Sequence, residues 1–347
     1  MVIDSHVHLF SPDMIAERRR LRERDRWFEL LYAADTARMA DAPALLTEMD
    51  AAGVDQSVAF GFAFADPGLC RACNDYVLSA AAEAPERIVP LAVVNPRNGE
   101  AACREARRCL EAGAKGIGEL MPDGQGYCLD GDDCLHDLMA LARAYAAPIV
   151  IHVNEQVGHA YPGKGQQGPE RAYTLAQRYP DNRLVLAHWG GGLPFYELMP
   201  EVRQALRNVT YDTAASLYLY DDAIFSQVMS WAPQKVLFGS DFPLIRQTRF
   251  LRRIRRLGLD ADSLSRLLYD NARAVFGIDS DEASCPEILE EARPDACPDA
   301  RPESAEGPAE GACPELAEGS VPQVARAPSP PLGRRPPSPD RSAPEDR

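Results

Sequence analysis

The chain has 347 residues, 46% of them hydrophobic, and a formal net charge of −15. That is enough apolar material for one large domain or two small ones, and the acidic balance argues against nonspecific nucleic-acid binding. There is no apolar run of the ~18 residues that a membrane-spanning helix needs, so no membrane partner is expected.

The first element is "VIDSHVHLF", Val2 to Phe10, a β-prone run with His6 and His8 one residue apart. On a strand these two side chains share a face, about 7 Å apart at ~3.3 Å rise per residue. Ser11 to Asp41 is longer than a βα loop needs and carries "RRRLRERDR", then Trp27, Phe28, Leu30, Leu31 and Tyr32. It reads as a lid or a dimer contact, with the basic run on a solvated helix face. "PALLTEMDAAG" follows as an amphipathic helix ending on Gly53. "DQSVAFGF" is the second strand. The "CRAC" of Cys70 and Cys73 lacks a second cysteine pair and reads as two cysteines at a helix start.

"IVPLAVV" is strand three, and "CREARRCLEAG" is a helix ending on Gly113. "AKGIGEL" is strand four and ends in Glu119. "CLHDLMALARAYAA" is a helix stopped by Pro148, with His136 as ordinary surface. "PIVIHV" is strand five and ends in His152. The long glycine-rich loop "NEQVGHAYPGKGQQGPE" carries Glu155, His159, Tyr161 and Lys164. It reads as closing over a substrate, with His159 and Lys164 available to an anionic group.

"RLVLAHW" is strand six and ends in His188; the glycines of "WGGGLPFYELMPE" after it let backbone approach a ligand or make a tight turn. "NVTYDT" is strand seven, with Tyr211 and Asp212 as rim support. "KVLFGSDFP" is strand eight and ends in Asp241. "RQTRFLRRIRR" reads as a solvated basic face, and "SLSRLLYDNARAVFG" as a helix from a serine cap to Gly277. Eight strand–helix alternations match an α/β fold of the (β/α)8 TIM-barrel kind. The rival, a doubly wound sheet, would place a glycine-rich phosphate loop after the first strand, and none is present.

Residues 278–347 differ in composition. They hold 16 acidic and 7 basic residues, 14 of the 29 prolines, and no Phe, Trp or Tyr. Such a segment buries too little apolar surface to offset its ordering entropy. The expected organisation is a barrel over 1–277 and a disordered tail over 278–347. Removing the tail is expected to leave melting temperature and turnover nearly unchanged; a large fall in melting temperature would mean that it packs on the barrel. Nine cysteines without framework spacing, and no signal-peptide pattern, fit a reducing cytoplasm.

Barrel chemistry gathers where the strands end. Four of the six histidines, His6, His8, His152 and His188, lie at those ends with Glu119 and Asp241. Imidazole nitrogen plus carboxylate is a ligand set for zinc and similar divalent metals. His6 and His8 read as two prongs of a metal clamp. Asp241 is placed to ligate the metal and accept a proton from its water. His188 either ligates or stands off as a general acid or base. Glu119 bridges a second metal, binds substrate, or hydrogen-bonds a ligand histidine.

H-x-H on strand one, His on strands five and six, and G-S-D on strand eight together resemble the amidohydrolase superfamily. The wording "VIDSHVHLF", "VLAHWGGG" and "FGSDFP" is most similar to the branch related to amino-carboxymuconate-semialdehyde decarboxylase. The resemblance covers residues 1 to about 277. It implies a distorted TIM barrel with one divalent metal, zinc first and manganese as the alternative, held by His6, His8, His152 and Asp241. It implies that His188 is the catalytic acid or base, and it hints at a homodimer. "GIGEL" also resembles TatD-type hydrolases, in which the strand-four Glu touches a second metal, so the number of metals stays open. The expected function is hydrolysis of an amide, lactone or ester of a small, anionic molecule by metal-activated water. The alternative is non-oxidative decarboxylation of a small unsaturated or aromatic acid on the same site.

Overall fold

In the computed structural model, residues 1–131 and 133–278 are described. The expected tail, from residue 279 on, lies outside them. Ile278, assigned to that tail from sequence, is buried with Phe276 in the barrel core.

All eight expected strands form: β1 (Ile3–His8), β2 (Gln56–Phe60), β3 (Ile88–Pro90), β4 (Ile117–Leu120), β5 (Ile149–Ile151), β6 (Leu184–Leu186), β7 (Val209–Asp212) and β8 (Val236–Leu237). Every pairing is parallel, in the orders β1-β2-β3 and β4-β5-β6-β7-β8. Two seams close the ring. Ala92 pairs with Ile117 between β3 and β4, and Val7 pairs with Phe242 beyond β8. Backbone bonds complete the second seam, Ser5 N–H to Phe238 O at 2.7 Å and His8 N–H to Phe242 O at 2.8 Å. The result is a distorted (β/α)8 barrel.

Between β1 and the first barrel helix, Ser11–Asp41 folds as three short helices, α1 (Pro12–Ala16), α2 (Arg18–Arg24) and α3 (Arg26–Tyr32). Asp25 fixes this segment by accepting from Phe28 N–H at 2.8 Å and from Ala65 N–H, after β2, at 2.9 Å. Phe28 is fully buried, stacks on Tyr32 at 4.4 Å and meets Phe62 and Phe64 edge-on or tilted at 5.3 Å. Such an aromatic cluster makes the segment a fixed roof.

The outer helices are α4 (Ala42–Ala52), α5 (Pro67–Glu83), α6 (Glu100–Glu111), α7 (His136–Ala144), α8 (Pro169–Arg178), α9 (Pro200–Ala205), α10 (Ala223–Trp231) and α11 (Gln247–Ile254). Gly53 caps α4 in the left-handed conformation, as its position predicts. Cys70 and Cys73 are buried in the first turns of α5, as two packing cysteines. His136 is exposed. The last helical segment departs from expectation: Asp260, not a serine, caps it by accepting from Ser263 N–H at 2.9 Å. Its carboxylate takes the Ser263 N–H, so the helix begins three residues earlier than a serine cap would place it. No helix among the described residues is long and apolar enough to cross a membrane.

Simple alternation does not account for the rim. Ile3 packs inside the barrel with Val58, Val150 and Leu237, while Val7 packs outside against α4. Residues 3 and 7 would share a face on a regular strand. The β1–β2 register shifts between Asp4 and Val7, which re-phases the strand and turns His6 and His8 inward. The same device acts on β4. Ile117 and Leu120 both pack in the outer core, across a register shift, and Glu119 is left facing the barrel axis. Gly118 sits in that shift with φ +124°, and a Cβ there would lie 2.3 Å from Val150 O.

Candidate active site

The inward side chains converge on one cluster. His6 Nε2 and His8 Nε2 are 3.3 Å apart. Glu119 Oε2 is 3.7 Å from His6 Nε2 and 3.6 Å from His8 Nε2. Asp241 Oδ1 is 3.9 and 3.6 Å from the same two nitrogens. The other Glu119 oxygen, Oε1, is 3.0 Å from His152 Nδ1 and 3.6 Å from His188 Nε2. His188 Nε2 and His152 Nδ1 are 3.0 Å apart. All six residues assigned to the rim from sequence therefore meet there.

Two of them are held by unusual backbone. His188 has φ +56° and Asp241 has φ +63°. Non-glycine residues in this region cost energy and concentrate at functional sites. For His188 the cause is geometric. Leu184 and Leu186 face the outer core and Val185 the interior, so plain alternation would send residue 188 outward. The left-handed turn brings it back to the cavity. Gly191, in the turn that follows, would place a Cβ 2.4 Å from Asn154 O. The close approach of this glycine run is thus to the β5 loop.

Asp212 orients the cluster from beneath. It is fully buried; Oδ2 is 2.9 Å from His6 Nδ1, and Oδ1 accepts from the backbone N–H of His188 and Ala214, both at 3.0 Å. The sequence reading had it as rim support, and it is the anchor of two site histidines. With Nδ1 of His6 committed to Asp212, Nε2 is the nitrogen left to face the cluster. His188 Nδ1–H donates to Ala214 O at 3.1 Å and leaves Nε2 on the cavity side.

Burial disfavours the charged form of His6, but Asp212, Glu119 and Asp241 outweigh it and hold its pKa up to about 10. His188 is raised to about 9: burial opposes, and Glu119, Asp241 and Asp212 prevail. His8 is lowered by burial and by the neighbouring His6. Glu119, despite burial, is held well below its ordinary value by His6 and His152. Imidazole nitrogens packed about 3 Å apart among carboxylates form a donor set that one divalent cation satisfies better than protons do. The sets His6, His8, Glu119 and Glu119, His152, His188 each converge within 4.8 Å.

Replacing Asp212 with Asn is expected to weaken divalent-metal affinity about 10–100-fold. The carboxylate that fixes His6 is lost while the shape stays. Competition with a chelating dye measures this, and unchanged affinity would remove the orienting role.

Above the cluster lies a cavity of about 470 Å³. His8, Glu119, His152, His188 and Asp241 form its base; Trp27, Leu31, Tyr32, Phe62, Tyr161 and Tyr218 form its walls. The Ser11–Asp41 segment and the β5 loop both reach it, as the sequence reading anticipated. His159 lines it. Lys164 does not: its Nζ donates to Val157 O at 2.7 Å and His159 O at 3.1 Å and lies 5.6 Å over the Tyr161 ring. Lys164 thus braces its own loop, and the cation on the cavity wall is Arg38. Sequence reasoning passed over Arg38; its place six residues after the Trp27–Tyr32 run was the available signal.

Residues 3–278 match the family model described as amidohydrolase. No curated protein matches the chain in sequence. Among solved structures, the 5-carboxyvanillate decarboxylase of Sphingomonas paucimobilis aligns with TM-score 0.64 and 19% identity, over 80% of this chain and 99% of that one. The 5-carboxyvanillate decarboxylase of Novosphingobium aromaticivorans, solved with manganese and a nitrobenzoic acid, gives 0.66 and 17%, over 80% and 96%. The 2,6-dihydroxybenzoate decarboxylase from Rhizobium gives 0.64 and 17%, over 80% and 99%.

Proposed function

The chain belongs to the amidohydrolase family, and from that premise we propose that it is a divalent-metal-dependent, non-oxidative decarboxylase of a small aromatic or otherwise unsaturated acid. The order of the two activities drawn from sequence is thereby reversed. One observation carries the reading: the cavity over the ligand cluster is walled by Trp27, Tyr32, Phe62, Tyr161 and Tyr218, with Arg38 beside them. Flat, unsaturated carboxylates suit such walls. The fold likeness to decarboxylases of hydroxylated aromatic acids supports it by analogy.

In this reading His6, His8, His152 and Asp241 hold the metal, zinc or manganese, and Glu119 lies between the two histidine pairs. The metal, when bound, supplies a Lewis acid for the oxygens of the acid. The aromatic walls orient the substrate and exclude water. His188 carries the proton on Nε2, delivers it to the carbon that bears the carboxylate, and regains one from solvent. The C–C bond breaks, its electron pair stays with the protonated carbon, and CO2 leaves. Glu119 first, then Asp241 and Asp212, favour the charged form of His188.

A second reading rests on Glu119. Its two oxygens face two different histidine pairs, so Glu119 would serve as a shared ligand if a second metal were held there, which favours a binuclear hydrolase. Two measurements decide. Elemental mass spectrometry of the purified protein is expected to give about one equivalent of metal per chain; two would favour the hydrolase. A panel of hydroxybenzoates and unsaturated acids is expected to yield chelator-sensitive CO2. Hydrolysis of esters, lactones or amides with no CO2 from any acid would overturn the decarboxylase reading.

A further inference from the structure

Resting on the assignment of Asp241 as a metal ligand, we propose that Asp4 is a positioning residue. From behind the cluster it holds the turn that aims the Asp241 carboxylate at His6 and His8.

Asp4 is fully buried and does not line the metal cavity. None of its hydrogen-bond partners is a lysine or an arginine. A buried carboxylate of this kind persists only where donors satisfy it. Four do. Oδ1 accepts from the Ser240 N–H at 2.8 Å and from the His6 N–H at 3.3 Å. Oδ2 accepts from the Ser240 hydroxyl and from Gln247 Nε2, at the start of α11, at 2.7 Å. Both donors of Ser240, the residue before Asp241, are thus held by Asp4.

The turn consists of Ser240, Asp241 and Phe242, and each of its N–H groups is committed. That of Ser240 goes to Asp4. That of Asp241 donates to His6 O at 3.0 Å. That of Phe242 donates to Ser240 Oγ at 3.0 Å. Phe242 O accepts in turn from the His8 N–H. The turn is therefore tied to β1 at Asp4, His6 and His8. Asp241 has φ +63°, and a non-glycine residue stays there only where its surroundings over-determine it. These bonds do so.

Asp4 is the side chain on which the others depend. The Ser240 hydroxyl has one proton; giving it to Asp4 leaves a lone pair aimed at the Phe242 N–H. Without Asp4 that hydroxyl is free to rotate, and the Ser240 N–H loses its acceptor. Asp241 then keeps its own bond to His6 O and the Phe242–His8 bond beyond it. Gln247 Nε2 also donates to Ser57 Oγ, on β2, at 3.0 Å. This outer arm of the same network does not touch the turn.

The test titrates cobalt(II) into the metal-free, full-length protein and follows its visible absorption, with a chelating dye as competitor. Asp4→Asn and Ser240→Ala are each expected to weaken cobalt binding about tenfold or more, with spectra that move toward that of Asp241→Asn. Because Asp4 acts through Asp241, adding Asp4→Asn to Asp241→Asn is expected to cost less than about twofold further. Ser57→Ala is expected to keep affinity within about twofold of wild type, even where it lowers the melting temperature. Ser240→Ala takes the place of Asp4→Asn in the double variant if Asp4→Asn does not fold. A full tenfold loss on top of Asp241→Asn overturns the proposal, since the effect then runs elsewhere. Unchanged affinity in both Asp4→Asn and Ser240→Ala overturns it too. So does an equal loss in Ser57→Ala, which would make the network a matter of stability alone. Wild-type affinity and spectrum in Asp241→Asn would instead overturn the ligand assignment beneath it.

Discussion

His188→Ala is expected to lower turnover about 10²–10⁴-fold while the protein keeps its metal. The left-handed turn at His188 aims the ring into the cavity. Ala214 O holds Nδ1, so only Nε2 faces the cluster and can carry a moving proton. Glu119, Asp241 and Asp212 hold that proton on at neutral pH, with the pKa raised to about 9. In the metal-free protein the group is therefore charged at neutral pH, the form that proton delivery to carbon requires. Alanine removes the acid without removing any of His6, His8, His152 or Asp241. Single-turnover kinetics and elemental analysis on the same preparation read both quantities. Loss of metal together with activity would make His188 a ligand and move the proton to Asp241.

His6→Ala is expected to abolish metal binding and activity together, and to destabilise the metal-free protein as well. His6 and Asp212 form a fully buried pair at 2.9 Å. Removing one partner of such a pair strands the other charge, at about 3–5 kcal/mol. Asp212 keeps the N–H groups of His188 and Ala214, which argues for the lower end. For a barrel of this size that is a fall in melting temperature on the order of 6–10 °C. The pH dependence has a defined sign. The folded-state pKa of His6, about 10, lies above its ordinary 6.5. The pair's contribution is therefore complete below the lower value and is lost as pH rises through the higher one. The gap in melting temperature between wild type and His6→Ala, both metal-free, is expected to narrow as pH approaches 10. A gap that is absent at pH 7 would mean that the pair contributes nothing to stability.

How the site was legible depends on the residue. His152 follows directly from β5: Val150 faces the barrel interior, and two residues on, His152 faces the same way. Its place at the rim needed only period-2 alternation. His6, His8, Glu119 and His188 were found in the sequence by type and by position at strand ends, but alternation alone would have pointed all four elsewhere. Asp212 was seen as support because a buried anchor and a rim carboxylate look the same in a sequence. Lys164 looked available because its two carbonyl partners belong to the fold of its own loop.

The sequence by itself determined the eight strands, because buried parallel strands require continuous apolar runs. It also determined the helix ends at Gly53 and Gly277, because only glycine takes the left-handed cap without cost, and it named the six rim residues. Tertiary structure alone decided where those residues point. The register shifts in β1 and β4 and the positive φ at His188 and Asp241 arise from barrel closure and contact between neighbouring strands, interactions that no local pattern encodes.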